Sequence, residues 1–581
     1  MNNSDLEKLR HSAAHLLAAA VMEIWPDTKR TIGPAIENGF YFDFEFASPI
    51  SESDLPRIDQ KMRELVKSWK GFEKHELSAG DAKKEYPNNP YKHELIEEFT
   101  KNGEKVSFYK SGSYWDLCKG GHVENPREQL KHFKLLSVAG AYWRGDEKNK
   151  MLTRIYGTAF ATKEELEKYL WQMEEAKKRD NRKLGKDLEL YLISQQIGSG
   201  LPILMPKGAL IKKIIEDDLY SEKRKIGYQF VWSSHIAKSQ IYHTSGHWGK
   251  YDAMFAPMKL DDEDYVLKPM NCPHHFQYYL NSPRSYKELP FRIAETATVY
   301  RNEKSGELGG LLRVRSLTID DGHTFIRLDQ TNEELELVLV IIKKILERYG
   351  FREYRARIST SDPDNQQKYL GDRDAWVRAE EALKKQAEKL FDSVSVGVGE
   401  AAFYGPKIDV MVKDAVGREW QLSTVQLDYN QPKNFEMKYT DENGEEVYPA
   451  IVHVAMIGSI ERFMGILIEH YAGAFPLWLA PVQVKIVPVS EKFGDYAKKV
   501  KDMFNAASIR TELDMDAKSL GYKIRQATLQ KVPYMIIIGE KESASGSDML
   551  ISVRSRDGKD LGTLSASEFL KKLQNDIEHY L

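Results

Sequence analysis

The sequence predicts an α+β protein of several domains, and three observations carry that prediction. It has 581 residues, room for roughly three to five folding units at about 100–200 residues each. Strand-like and helix-like periodicities alternate along it, with no internal repeat. It is 41% hydrophobic and 11% aromatic, enough for each unit to bury its own core and too much for a disordered or fibrous chain. Lys and Arg total 84 against 87 Asp and Glu, a net charge of −3, so bulk charge does not announce a nucleic-acid binder, although a basic patch remains compatible with it. The two cysteines, Cys118 and Cys272, lie far apart in unlike contexts, which argues against a disulfide scaffold and fits a reducing, cytoplasmic setting. No basic stretch leads into an apolar one at the N-terminus, and the longest apolar run, around Leu335–Ile342, is about half a membrane span. A soluble protein with no membrane partner is expected.

Four segments separate by pattern: 1–161, 162–187, 188–478 and 479–581. The first mixes short helices with strand-like runs such as Gly39–Phe44. Thr162-Lys-Glu-Glu165 has the capping-box form, and the charged stretch after it predicts one largely solvated connecting helix from about 162 to 186. The third segment opens with a helix from about Lys207 and a strand at Tyr228–Trp232. A long helix runs from Thr331 to Gly350, with Glu334 completing a second capping box and Gly350 as terminator. Strands dominate between, which predicts an antiparallel sheet with helices packed on it. The last segment alternates strand and helix (Val482–Pro488, Asp495–Ala507, Tyr534–Ile538, Met549–Val553) and predicts a small α/β domain with a mostly parallel sheet.

Three groups of residues could carry chemistry. His11 and His15, four apart, share one helix face, and with Cys118 and His122 they could form a metal or acid/base pocket; a chance pair on a helix is the bland alternative. A metalloprotease is excluded there, because Ser12 stands where the glutamate base would follow the first histidine. Cys272, His323 and His453 are separated by 51 and 130 residues, no zinc-finger spacing, so spacing alone reads Cys272 as a core cysteine and the histidines as unrelated. Arg301, Arg313, Arg315 and Arg462 suit the phosphates of a nucleoside triphosphate, or else form surface salt bridges; no GxxxxGK[ST] loop exists, so ATP use would not go through one.

Taken in order, these pieces resemble the threonyl-tRNA synthetase family over essentially the whole chain. Arg301-Asn-Glu303 with Arg313 resembles motif 2 of the class II synthetases, and Gly458-Ser-Ile-Glu-Arg462-Phe resembles motif 3. Ser245-Gly-His247-Trp248, Tyr404-Gly-Pro-Lys407 and Thr424-Val-Gln426-Leu-Asp428 match family signatures between them. The resemblance implies a class II antiparallel-sheet catalytic domain (188–478), preceded by an editing domain (1–161) and linker helix (162–187) and followed by an anticodon-binding domain (479–581).

The resemblance reverses the reading from spacing: Cys272, His323 and His453 fall where the family places three zinc ligands, and three protein ligands leave an open coordination position. There the family binds the amino and hydroxyl groups of threonine, which rejects valine; Asp321, Tyr404 and Gln426 are implied threonine contacts. Arg301, Glu303, Arg313, Gln421 and Arg462 are implied ATP contacts, with Mg²⁺ assisting. His247, Arg301, Lys407 and Arg462 are the implied catalytic groups, His247 as proton relay at the terminal ribose of tRNA. Serine lacks only a methyl, worth roughly 1–3 kcal/mol, so a hydrolytic site is expected; His11, His15, Lys92, Asp116, Cys118 and His122 resemble the family's editing pocket, which works without a bound metal. Lys523, Arg525, Glu542 and Arg554 are implied anticodon contacts, and a homodimer is implied by the motif 1 helix and strand.

The sequence also departs from the family. It starts directly at the editing unit, without the usual small ubiquitin-like domain. Ser234 replaces a motif 1 proline. Leu317 and Ile319 stand where motif 2 usually has an adenine-stacking phenylalanine and a glutamine, which predicts weaker ATP binding. An asparagine expected near Asp516-Ala517 is missing. The alternative function is a hydrolase acting only on mischarged tRNA, with a degenerate synthetase core.

Overall fold

The computed structural model describes residues 3–101, 105–544 and 549–581, and it divides into two units, one ending at Glu174 and the other beginning at Glu175. The first unit is built on helix Asn3–Ile24, whose run of Leu and Ala between Leu9 and Val21 is buried. The helix packs on an antiparallel sheet in the order Lys29–Arg30, Gly39–Glu45, Met151–Phe160, His132–Tyr142. A second sheet joins Glu73–Leu77, Val106–Ser111 and Tyr114–Leu117. Cys118 directly follows the last of these strands, and Gly120 and Gly121, at φ of +100° and +86°, turn the chain towards His122.

In the second unit, eight strands form one sheet: β1 (Gln229–Phe230), β2 (Phe291–Tyr300), β3 (Ser316–Ile326), β4 (Tyr354–Thr360), β5 (Val394–Val398), β6 (Lys407–Lys413), β7 (Glu419–Asp428) and β8 (Ala450–Ser459), in the order β1-β2-β3-β8-β7-β6-β4-β5. All pairs are antiparallel except β1–β2 and β4–β5 at the two edges. Helices α1 (Pro206–Lys225), α2 (Cys272–Leu280), α3 (Thr331–Arg348) and α4 (Ile460–His470) accompany the sheet. Leu335, Leu339, Ile342 and Leu346 of α3 and Phe463 and Leu467 of α4 join β-strand residues such as Ile408, Val425 and Val454 in the main core. The sheet's other face is left to carry the site. None of the described helices is long and apolar enough to cross a membrane.

Four local expectations are corrected. The connecting helix is two helices, Lys163–Arg179 and Asn181–Asp187, because Asp180 leaves helical geometry and caps the second through Arg182 N–H. The Thr162–Glu165 capping box does form, at 3.2 Å in both directions. Glu334 makes no capping box; it takes Arg292 in a bidentate pair at 2.5–3.2 Å, since a charged fork is a stronger partner than one backbone N–H. The expected Tyr228–Trp232 strand shrinks to β1. The C-terminal sheet is mixed rather than mostly parallel: Val484–Pro488 pairs in parallel with Thr511–Leu513 and Tyr534–Ile538, but Leu550–Ser555 pairs antiparallel with both its neighbours. The tight turn at Asp557-Gly558, the glycine at φ +87°, joins Leu550–Ser555 to Asp560–Ser565, and so short a loop permits only an antiparallel pair.

Candidate active site

Side chains two apart on a strand share a face, so Leu317, Ile319, Asp321 and His323 of β3 line one side of the sheet in sequence. The register sets His323 opposite His453 of β8, and His453 opposite Gln426 of β7. Cys272 begins α2 beside them. One ligand atom from each of Cys272, His323 and His453 lies within 4.8 Å of the others.

The two histidines are aimed by outer partners. His453 Nε2 lies 3.1 Å from Asp428 Oδ2, leaving Nδ1 for the cluster. His323 Nδ1 lies 2.8 Å from His275 Nδ1, and its Nε2, fully buried, has no hydrogen-bond partner. An orphaned buried nitrogen is rare, and here it belongs to a site with a thiol and a second imidazole. Burial, then Asp321, raises the Cys272 thiol well above its ordinary pKa, so a thiolate there needs a cation beside it. A soft, borderline donor set with one open position fits Zn²⁺.

Along the same strands the face opens into a cavity of about 430 Å³, lined by Arg301, Glu303, Arg313, Leu317, Gln421 and Arg462 among others. Among the described residues Arg301 and Arg462 have no carboxylate within ion-pair distance; Arg462 donates to the Leu312 carbonyl at 3.4 Å and Arg301 to that of Pro269 at 3.5 Å. Burial, then Arg313, lowers the Arg462 pKa. Two such cations in one cavity fit a polyanion. Arg313 instead pairs with Glu303 at 2.7 Å and Glu307 at 3.1 Å.

Lys407 Nζ sits 2.5 Å from Asp409, whose carboxylate also takes Gln421 Nε2 (2.7 Å), Thr424 (3.0 Å) and Ser359 (3.2 Å). Gln426 donates to the Gly405 carbonyl at 2.9 Å, and Tyr404 lies 5.6 Å, ring to ring, from both His247 and His453. His247 Nδ1 bonds Ser245 Oγ at 2.8 Å, its buried Nε2 has no partner, and burial, then His453, lowers its pKa to about 3.

The first unit holds a second constellation, over a cavity of about 610 Å³. His11, His15, Cys118 and His122 again converge within 4.8 Å. Cys118 Sγ lies 3.4 Å from His11 Nε2 and 3.3 Å from His122 Nε2. Ser12 Oγ gives its proton to the Lys8 carbonyl, so it accepts from His122 Nδ1 at 3.4 Å, leaving the Nε2 lone pair facing Cys118 Sγ. Burial, then His11, lowers the His122 pKa to about 3, and burial raises Cys118 to about 11, so at neutral pH the imidazole and the thiol are both uncharged. Beside them Asp116 takes Lys92 (2.9 Å), Arg30 (3.2 Å), Tyr86 (2.5 Å) and Tyr114 (2.9 Å). Burial alone would raise Asp116, but Lys92 and Arg30 hold its carboxyl far below the usual range.

The anticodon candidates have unlike settings. Arg525 is exposed on Leu520–Leu529, and Arg554 is half-buried on Leu550–Ser555. Lys523 is held inward, donating to the Asp514 carbonyl at 3.0 Å, and Glu542 accepts from Gly539 N–H at 2.8 Å and Ser552 at 2.6 Å. Of the positions where the sequence departs from the motifs, Leu317 and Ile319 line the anion cavity and Ser234 Oγ caps the Ile236 carbonyl at 2.8 Å. Asp409, Asp428, His275 and Arg30 were not singled out from sequence. Asp428 ends the quoted Thr424–Asp428 signature and His275 ends Cys272-Pro-His-His, so both lay within reach; Asp409 and Arg30 carried no signal.

This fold and site define a class II aminoacyl-tRNA synthetase: the model for the tRNA synthetase class II core domain (G, H, P, S and T) matches residues 255–471, that for the anticodon binding domain 483–576, and that for the threonyl and alanyl tRNA synthetase second additional domain 106–156. The threonine–tRNA ligase of Rubrobacter xylanophilus is 46% identical over 98% of this chain and 88% of its own length, and that of Thermus thermophilus 47% over 97% and 87%. The crystal structure of the RNA binding domain of threonyl-tRNA synthetase from Cryptosporidium parvum matches with a TM-score of 0.64 and 32% identity, over 68% of this chain and 98% of that one. The chain belongs to the threonine–tRNA ligase family.

Proposed function

We propose that this chain charges tRNA(Thr) with L-threonine at the expense of ATP and hydrolyses Ser-tRNA(Thr) in its first unit. The observation that carries the reading is the continuity of one sheet face, from an anion cavity holding two unpaired arginines to a Cys/His/His cluster with an orphaned nitrogen.

In the first step a threonine carboxylate oxygen attacks the ATP α-phosphorus and pyrophosphate leaves, giving threonyl-adenylate. Arg301, Arg462 and Lys407 offset the charge that develops on the phosphates, with Mg²⁺ accompanying ATP. Glu303, Arg313 and Gln421 position the nucleotide. Asp321, Tyr404 and Gln426 hold the amino acid. Cys272, His323 and His453 would hold one Zn²⁺, which when bound supplies a Lewis-acidic vertex for the amino and hydroxyl groups of threonine. In the second step the terminal ribose hydroxyl attacks the carbonyl and AMP leaves; His247, neutral and with Nε2 free, accepts the proton.

In the first unit the uncharged His11, His15 and His122 and the protonated Cys118 suit a water attacking the seryl ester, with Lys92 and Asp116 fixing the wall behind it. The domain division offered is 1–161 for editing, 162–187 for the linker, 188–478 for catalysis and 479–581 for the anticodon, where Arg525 and Arg554 are the better-placed contacts, with Lys523 and Glu542 shaping the surface. A homodimer through α1 and β1 is supported by Tyr220, 46% exposed and tilted against Phe230 at 4.0 Å, and by Trp232, 78% exposed. Work in the cytoplasm is part of this reading.

The editing-only alternative is not favoured, since the arginines, Lys407 and the metal cluster all share one face. Threonine-dependent ATP–pyrophosphate exchange tests the ligase reading: no exchange refutes it. A zinc-to-chain ratio near one, abolished by Cys272→Ser, tests the metal.

A further inference from the structure

Between the anion cavity and the Cys/His/His cluster, β3 and β8 fall out of step. Ile319 pairs with Ser459, but Asp321 pairs with Ala455, so Met456, Ile457 and Gly458 stand opposite Asp320 alone. Such a bulge leaves backbone groups without ladder partners. Here Met456 N–H and Ile457 N–H donate to Asp320 Oδ2 at 2.8 and 3.3 Å, so a side-chain carboxylate takes the place of a strand carbonyl. The other Asp320 oxygen pairs with Lys223 of α1, which also donates to the Asp321 carbonyl at 3.1 Å. Lys223 is 2% exposed and Asp320 3%, so neither competes with water for the other. Gly322 keeps the crossing open: a Cβ there would stand 3.1 Å from the Tyr228 ring and 3.5 Å from the Lys223 ammonium.

The bulge is the junction of the two pockets. On its one side lie Asp321, His323 and His453; on the other lie Ile319, Gly458, Ser459 and, one turn into α4, Arg462. Asp320 points to the opposite face of the strand from Asp321 and His323, so it touches neither pocket directly.

We propose that Asp320 and Lys223 are positioning residues that fix the distance between the bound amino acid and the bound ATP by fastening this bulge. The inference rests on the pocket assignments above. Loosening the bulge leaves each pocket's own contacts in place, so each substrate binds nearly as before. The threonine carboxylate and the α-phosphorus then meet less often in line, and a misplacement of about 1 Å costs on the order of 100-fold in rate.

The test uses the full chain with Lys223→Met, Asp320→Asn and the double variant, measured by ATP–pyrophosphate exchange and by unfolding temperature. Each single variant is expected to lower kcat at least about tenfold while KM for threonine and for ATP moves less than about threefold. The double variant leaves no buried unpaired charge, so it is expected to regain unfolding temperature while kcat stays low. Ser-tRNA hydrolysis is expected to stay unchanged in all three. Recovery of kcat together with unfolding temperature in the double variant overturns the proposal, because the pair would then be structural only; so does wild-type kcat in either single variant. Cys272→Ser, run alongside, separates the two readings. Exchange surviving in it sinks the pocket assignment, whereas exchange lost in it but normal in Lys223→Met sinks the positioning role alone.

Discussion

Replacing Asp428 by Asn isolates the aiming of His453. Asp428 Oδ1 accepts from Asn430 N–H at 2.7 Å and from Gln431 N–H at 3.0 Å, while Oδ2 faces His453 Nε2 at 3.1 Å. The two backbone donors settle which way an asparagine would lie: its oxygen must keep them, so its NH₂ must face the imidazole. An NH₂ donates, and Nε2 can accept only by giving up its proton to Nδ1. That is the nitrogen the metal needs. Outer partners of ligating histidines are worth 10- to 100-fold in metal affinity, or about 1.4–2.7 kcal/mol. Competition against a chromophoric zinc chelator reads the constant directly, and unfolding temperature verifies that the fold survives. Zinc affinity within about twofold of the parent, in a folded Asp428→Asn protein, would refute the tautomer argument.

Three further outcomes are expected. Leu317→Phe supplies a ring to the anion cavity, where Leu317 now packs with Val299 and Val314, and should lower KM for ATP by about 2- to 10-fold, the equivalent of a stacking gain near 0.5–1.5 kcal/mol; an unchanged KM in exchange kinetics would remove adenine stacking from the account. The pH profile of Ser-tRNA hydrolysis should show no loss near the ordinary histidine pKa of about 6.5, because burial lowers His11, His15 and His122 so that the neutral form persists to lower pH; activity should fall only as pH drops towards the lowered values, and a break near neutrality counts against these bases. Gly405→Ala places a Cβ 2.2 Å from the Leu427 carbonyl, on the residue whose own carbonyl anchors Gln426, and should cost about 1–3 kcal/mol of stability and raise KM for threonine more than for ATP.

The fold was legible wherever periodicity had one physical cause. The capping box at Thr162–Glu165 and the terminator at Gly350, at φ +85°, involve only neighbouring residues, and both formed. Glu334 failed as a cap because Arg292, 42 residues away in sequence, outbid the local N–H, and no window of sequence contains both. The C-terminal sheet was misjudged for the related reason that strand direction is set by loop length as well as by apolar runs. In the site, motif resemblance marked the candidate residues, and the structure brings Cys272, His323 and His453 together although spacing alone had separated them. What resemblance did not mark were the groups that aim those residues. Asp409 holds Lys407, Gln421 and Thr424 at once, yet a buried aspartate on a strand looks like any other until the cross-strand neighbours are known.

Among the described residues there are two Cys/His clusters of similar tightness, and the charges around them explain why the same residue types suit different chemistry. In the second unit two carboxylates face the cluster itself, Asp428 on His453 and Asp321 at 3.8 Å from His323 Nδ1, while Glu295, behind His275, is matched by Lys268 at 3.6 Å. A divalent ion there offsets negative charge that burial would otherwise make costly. In the first unit Glu7 also lines the pocket, but the buried carboxylate beside the cluster, Asp116, is already matched by Lys92 and Arg30. That leaves no buried carboxylate there unmatched for a further cation to offset, while neutral imidazoles and a protonated thiol remain free to serve water. The division of labour follows from this contrast. A metal vertex can reject valine for want of a hydroxyl, but serine differs by a methyl worth only about 1–3 kcal/mol, so its removal falls to a pocket that hydrolyses instead of one that binds.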